Sequence, residues 1–366
     1  HIVETALAQG MRDHSPVSIS GIVMRPRTGE ILAMATLPSF DPNNPGAPGE
    51  APGARTDRLI SQIEEPGSTF KIVVVSGALN DGTVKLTDEF NCEMGNWWFA
   101  GTRLQDHKSY GVLNVKEIIT KSSNIGAAKI GVKMGDLRLL EYIRGFGFGR
   151  PTGIPLPSES WGIVHDTTNW SKISISHIPM GHEVGVTSLQ MAMAMSAVAN
   201  KGVLMQPLLV DRLVQPDGTT AIKYSPQPVR RVISEEADRD MVEALKSVVT
   251  DDGTAKAAML EHYTVAGKTG TAQKPENGHY SRDKFFSSFI GFFPADNPEI
   301  LIYVALDTPR GGHYGGETAA PVFKEIAEKA ANYLNIKPDK GDPSAMPGEK
   351  LVAPESPVKT AALRSP

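Results

Sequence analysis

The sequence predicts an α+β domain: an antiparallel sheet flanked by helices, with an all-helical region inserted within it. Three observations predict this. Strand-like segments fall into two clusters, near residues 16–37 and over 264–307, joined by short turns and without βαβ alternation. Between the clusters the apolar spacing is helical, around 115–146, 187–200 and 234–249. A last helical pattern over 318–334 follows the second cluster.

In chain order, Ile2, Val3, Ala6, Leu7 and Met11 give residues 2–12 the spacing of a short amphipathic helix. VSISGIVMRPRTGEILAMATLP reads as two strands joined near Thr28-Gly29, a hairpin signal. DPNNPGAPGEAPGA, Asp41 to Ala54, is Pro- and Gly-rich and reads as a surface loop. Pro66 and Gly67 open a helix whose apolar run stops at Asn80-Asp81-Gly82. The pattern over 115–146 is interrupted at KSSNIG. Met191, Met193 and Met195 in the helix of 187–200 read as core filler, since methionine is a flexible apolar side chain. Ser234 before Glu235 and Glu236 marks an N-cap with acidic residues at the positive helix end. The three last strands are expected at 264–273, 285–293 and 300–307. Residues 337–366 hold six prolines and few large apolar groups and read as a disordered tail.

Size and composition bound the function. The chain has 366 residues, 40% apolar and 21% charged, which is ordinary for a globular protein. Its net charge is −4, so no basic surplus argues for nucleic acid. Cys92 is the single cysteine, which excludes an intramolecular disulfide and leaves a buried hydrophobe as the ordinary reading. No apolar run of bilayer-spanning length occurs, and the chain starts at His1 without a signal peptide. It reads as a segment of a longer protein.

Three stretches carry chemistry. In PGSTFK, Ser68 and Lys71 are i and i+3 on a helix and share a face, with Ser68 in the first turn, where free N–H groups favour developing negative charge. A serine beside an amine is an activated nucleophile, provided the amine is neutral; burial and a second nearby cation both favour that. In KSSNIG, the hydroxyl of Ser122 and the amide of Asn124 offer proton transfer and a grip on a peptide. In TVAGKTGTAQK the strand is small, polar and cationic where packing residues are expected: Lys268 supplies charge, Thr269 and Thr271 supply hydroxyls, and Gly270 admits a close backbone. Each alone has an ordinary explanation: a helix-capping serine, an N-cap, and an edge strand guarded against aggregation. Ser-x-x-Lys also recurs at Ser281 and Ser356, without a helix-start signal.

Together and in this order the three motifs resemble those of penicillin-binding proteins and class A β-lactamases. The wording around them (TGEILAMATLPSFDPN, EEPGSTFK, SSNIGAAKIG, VTSLQMAMAMSAVANKG, AGKTGTAQK, YGGETAAPVFKEIA) is similar to class B penicillin-binding proteins, peptidoglycan D,D-transpeptidases, most of all the division and sporulation branch. The resemblance implies the penicillin-binding and serine β-lactamase-like transpeptidase fold over 14–336, with 1–13 the end of a missing pedestal or linker and 337–366 the tail. It implies catalytic roles for Ser68, Lys71, Ser122 and Lys268, and substrate binding by Asn124, Thr269, Gly270 and Thr271. The oxyanion would sit on the backbone N–H groups of Ser68 and Thr271. Implied partners are D-Ala-D-Ala stem peptides, an amine acceptor and β-lactams. In the full-length protein they include a membrane lipid-II polymerase and division proteins, on the periplasmic side of a membrane that holds an N-terminal anchor. No metal or organic cofactor is implied.

One stretch departs from the family. Members often read Gly-Tyr-Gly or Gly-Gln-Gly where this chain has Gly181-His182-Glu183, which reads as a rim substitution without a chemical role. The alternatives within the same chemistry are a D,D-carboxypeptidase, a β-lactamase and a β-lactam sensor. Neither Glu141 nor Glu159 has the flanking pattern of a class A deacylation base. The intact Ser68, Lys71, Ser122 and Lys268 leave the sensor open.

Overall fold

The computed structural model describes residues 1–276 and 278–341. Its centre is a five-stranded antiparallel sheet. The strands are β1 (Ser18–Met24), β2 (Ile31–Leu37), β3 (Ala266–Glu276), β4 (His279–Phe293) and β5 (Ile300–Asp307), in the spatial order β3-β4-β5-β1-β2. β1 pairs with β5 in the register Ser18 to Asp307 through Met24 to Leu301, so the two ends of the sequence close one sheet. All seven residues of β1 and all eight of β5 are buried. Such strands have both faces covered, which explains the nearly continuous apolar run of β5.

One face is covered by α1 (Ile2–His14) and the C-terminal α8 (Gly315–Tyr333), which pack on each other and on the sheet. Although its position suggests the end of a preceding unit, α1 buries Val3, Ala6 and Leu7 in the same core as the sheet. The other face meets the helical region: α2 (Lys71–Asn80), α3 (Val115–Lys121), α4 (Asn124–Met134), α5 (Asp136–Gly145), α6 (Ser188–Val198) and α7 (Glu235–Val248). α2 is buried from Lys71 to Leu79 and packs on α4, α5 and α7. A helix apolar on all sides belongs inside a domain, and this one fixes the chain segment just before it.

The caps follow the sequence. Ser234 Oγ accepts from Ala237 N–H. Thr187 and Gln190 form a reciprocal capping box at α6, whose Met191, Met193 and Met195 are buried. Cys92 is buried, and burial pushes its thiol pKa up.

Some features differ from the expectation. Ser68 lies in a 3-10 turn, Gly67–Phe70, that runs into α2, rather than in the α-helix itself. Among the described residues, four two-stranded ribbons flank the helical region, including Glu89–Asn91 with Val112–Asn114 and Asn96–Phe99 with Thr102–Gln105. Their strands are three or four residues long, too short for a periodic signal. Of the expected tail, residues 342–366 lie outside the described residues. Residues 337–341 are attached: Asp339 Oδ1 accepts from Thr264 N–H at 2.7 Å, and Asp339 and Lys340 N–H groups donate to the His262 carbonyl.

Candidate active site

Ser68, Ser122, Asn124, Thr269 and Thr271 line one open cleft of about 1130 Å³, between the tip of α2, the α3–α4 junction and the edge strand β3. Each side chain arrives there by a local rule. The 3-10 turn places Ser68 three residues before Lys71, so both side chains share a face. Ser122 closes α3 in the left-handed conformation (φ 58°), which turns the chain sharply and lets Ser123 cap α4 through Gly126 N–H.

Lys71 is fully buried, and its Nζ has four neighbours: Ser68 Oγ at 2.8 Å, the Ser122 carbonyl at 2.8 Å, Asn124 Oδ1 at 2.8 Å and Ser122 Oγ at 3.3 Å. A neutral amine has two N–H bonds and one lone pair. The Ser122 carbonyl and Asn124 Oδ1 only accept, so they take the two N–H groups. Asn124 is held in that orientation because its Nδ2 donates to the Gln105 carbonyl at 3.1 Å. The lone pair therefore faces Ser68, whose O–H is the nearest donor.

Burial supplies the neutral state. Desolvation pushes the Lys71 pKa down to about 7, against an upward pull from Asp106. Lys268 is pushed well below the ordinary lysine range by burial first and by the charge of Lys71 second. The second-cation effect expected for Lys71 thus falls on Lys268.

Lys268 is not an exposed cation of the strand edge. It is fully buried, and its Nζ donates to Ser122 Oγ at 2.9 Å and to the Thr269 carbonyl at 3.2 Å. Alternation along β3 explains this. Lys268 and Gly270 face the helical region, and Thr269 and Thr271 face the start of α8, where they line the outer part of the cleft. Thr269 Oγ1 meets Thr254 Oγ1 at 2.9 Å, and Thr271 Oγ1 accepts from Gly315 N–H at 3.1 Å. Gly270 differs as well: a Cβ there would meet Ser288 Oγ at 2.4 Å and the Pro66 carbonyl at 3.0 Å. The backbone that approaches Gly270 is the turn carrying Ser68, so the glycine seats the nucleophile.

Asp106, Glu65 and Tyr280 contribute to the site without a local signal in the sequence. Asp106 Oδ1 accepts from Asn124 N–H and Ile125 N–H, and Oδ2 from Ser123 Oγ at 2.7 Å. A carboxylate there caps α4 and fixes Asn124. At the rim, His182 Nδ1 lies 2.8 Å from Glu65 Oε2 and 3.0 Å from the Tyr280 hydroxyl. Glu183, at φ 58°, accepts from His177 Nδ1 at 3.0 Å and Ser174 Oγ at 2.5 Å. Neither Glu141 nor Glu159 lines the cleft: Glu141 pairs with Arg138, and Glu159 accepts from Thr152 N–H. Ser281 and Lys284 lie on β4, where Lys284 pairs with Glu276; Ser356 lies outside the described residues.

Comparison with known proteins gives one consistent result. The penicillin binding protein transpeptidase domain family matches residues 19–328. Stage V sporulation protein D of Bacillus subtilis (strain 168) is 36% identical over 343 residues, covering 93% of this chain and 53% of that protein. Penicillin-binding protein 3 of Mycobacterium tuberculosis, solved in complex with aztreonam, superposes with TM-score 0.83 at 31% identity, covering 93% of this chain and 78% of that one. The ligand-free transpeptidase domain of Burkholderia pseudomallei penicillin-binding protein 3 gives TM-score 0.82 at 29% identity, covering 93% and 95%. The chain spans about half the length of the curated relatives it matches.

Proposed function

The chain belongs to the penicillin-binding protein transpeptidase domain family, and from that premise we propose that it is a serine acyltransferase that cross-links peptidoglycan stem peptides. What supports the reading is one continuous line of polar contacts no longer than 3.3 Å, Ser68–Lys71–Ser122–Lys268, whose first member opens on the cleft.

In the proposed first step, neutral Lys71 takes the Ser68 proton, and Ser68 Oγ attacks the carbonyl between the two terminal D-alanines. The N–H groups of Ser68 and Thr271 hold the oxyanion; losing one such donor typically costs about 10²–10³ in rate. Ser122, polarised by Lys268 and fed by Lys71, passes the proton to the departing D-alanine. Asn124 grips the donor amide and orients Lys71, while Thr269 and Thr271 receive the terminal carboxylate. The donor lies along β3 as an added strand. An amine of a second stem peptide then attacks the ester and regenerates Ser68. The reaction as written requires no metal or organic cofactor.

β-Lactams would acylate the same serine. The proposed transpeptidase unit takes in α1, which shares the core of the sheet, and works outside the cytoplasmic membrane. In the full-length protein it would be tethered by an N-terminal helix and partnered by a lipid-II polymerase and division proteins.

The test is to incubate the protein with a D-Ala-D-Ala donor peptide and an amine acceptor. A transpeptidase gives the cross-linked peptide plus free D-alanine. A carboxypeptidase gives D-alanine alone, a sensor gives neither, and a lactamase turns over penicillin rapidly where a transpeptidase stays acylated.

A further inference from the structure

The acyl-transfer reading leaves one proton without a destination. In acylation the Ser68 proton travels through Lys71 and Ser122 to the leaving amine, and the circuit ends as it began. A neutral acceptor amine would simply reverse it. A primary aliphatic amine is an ammonium ion at neutral pH, however, and must lose one proton more than Ser68 can take back. Lys71 must carry the attacking nitrogen's second proton back to Ser68 Oγ, 2.8 Å away, so the first proton needs another recipient.

The rim of the same cleft holds a base built for that proton. His182 lines the cleft together with Ser68, and its side chain is 22% exposed. Its neighbour Glu65 directly precedes the Pro66-Gly67-Ser68 turn. Gly67 N–H donates to the Gly181 carbonyl, which ties the two segments together beside the nucleophile. A carboxylate only accepts, so the contact between Nδ1 and Glu65 fixes the proton on Nδ1. Nε2 is then the lone-pair nitrogen of the neutral ring, and it has no protein partner among the described residues. Glu65 is itself fixed by Tyr280 O–H at 3.1 Å and by Glu183 N–H at 2.8 Å.

Resting on the acyl-transfer reading, we propose that His182, oriented by Glu65, is the acceptor-side base that deprotonates an ammonium acceptor before it attacks the Ser68 ester. The acceptor ammonium gives one proton to Nε2, and its freed lone pair forms the N–C bond at the acyl carbon. The C–O bond to Ser68 breaks, and the attacking nitrogen's second proton passes through Ser122 and Lys71 to Ser68 Oγ. The imidazolium returns its proton to solvent, so the step yields an amide, free serine and one proton. Charged and titratable groups facing the ring are Glu65 on the turn before Ser68, Tyr280 on β4, and Glu183, itself paired with His177. Burial and the charges of Glu65 and Glu183 hold the Tyr280 phenol protonated, so it acts as a neutral donor.

The test uses the full chain, an acyl-D-alanyl thioester donor, and two nucleophiles: Nα-acetyl-lysine, whose amine is charged at neutral pH, and hydroxylamine, which is already neutral. His182→Gln keeps a hydrogen bond to Glu65 but accepts no proton, and His182→Ala removes both. Both variants should lose about 10²-fold in transfer to Nα-acetyl-lysine at pH 7 while transfer to hydroxylamine changes by less than about threefold. The lysine defect should shrink as rising pH deprotonates the acceptor without help. Equal losses with both nucleophiles, or a defect that ignores pH, would mean that His182 only supports the rim. Wild-type transfer confined to hydroxylamine also overturns the proposal. Penicillin labelling of Ser68 is scored in parallel. If the wild type is labelled but uses neither nucleophile, the transferase reading fails; if Ser68 is never labelled, the nucleophile assignment itself fails.

Discussion

The amide oxygen of Asn124 lies 2.8 Å from Lys71 Nζ. With the Ser122 carbonyl it occupies both N–H groups of a neutral amine, which leaves the lone pair to Ser68. Only the neutral amine can accept the serine proton, and burial brings the Lys71 pKa down to about 7. Acylation by penicillin should therefore rise with pH through about 7 and level off above it. Stopped-flow acylation rates across pH 5–9 check this; a flat profile would remove Lys71 as the base.

Adding charge at that contact should move the limb. Asn124→Asp puts a carboxylate beside Lys71, which favours the ammonium form and raises its pKa. The half-maximal pH of acylation should move upward, and the rate at pH 7 should fall at least tenfold.

Asp106 tests the opposite direction. Its charge pulls the Lys71 pKa up, so Asp106→Asn should lower it and shift the acylation limb to lower pH. The same change weakens the cap on α4 and should cost about 1 kcal/mol in denaturant melts. A limb that stays in place while stability falls would confine Asp106 to capping.

Two adjacent serines should separate chemistry from folding. Ser123 Oγ caps α4 through Gly126 N–H at 2.9 Å, so Ser123→Ala should cost about 1 kcal/mol of stability. Ser122 Oγ bridges the two lysines, so Ser122→Ala should slow acylation about 10²–10⁴-fold with a smaller loss of melting temperature.

Gly181 is a backbone prediction. Its φ is +86°, and a Cβ would stand 2.1 Å from the Gly67 carbonyl oxygen. Gly181→Ala should push the Ser68 turn away from the rim, costing about 1–3 kcal/mol and most of the acylation rate. Wild-type labelling kinetics in this variant would show that the turn is placed by other contacts.

Where the sequence is legible, the rule is local. β5 is readable because both faces are apolar, and α6 because its apolar residues are densely spaced over 187–200. The pairing of Ser68 with Lys71 follows from helical spacing alone. Lys268 is harder. Its strand looks like an open cationic edge, but alternation does not say which face meets protein, and the amine turns inward to Ser122. Asp106 acts on Asn124 from a loop between short ribbons that carry no periodicity. Glu65, His182 and Tyr280 are separated by 117 and 98 positions and meet only through tertiary packing. Their contacts turn an apparent rim substitution into an ordered cluster.

Ser68 Oγ is the atom proposed to become acylated. Mass spectrometry of the intact chain after penicillin exposure, followed by mapping of the modified peptide, tests it directly. One equivalent of added drug mass is expected on the peptide containing Ser68, lost in Ser68→Ala. An adduct on another residue, or no adduct on a folded protein, would contradict it.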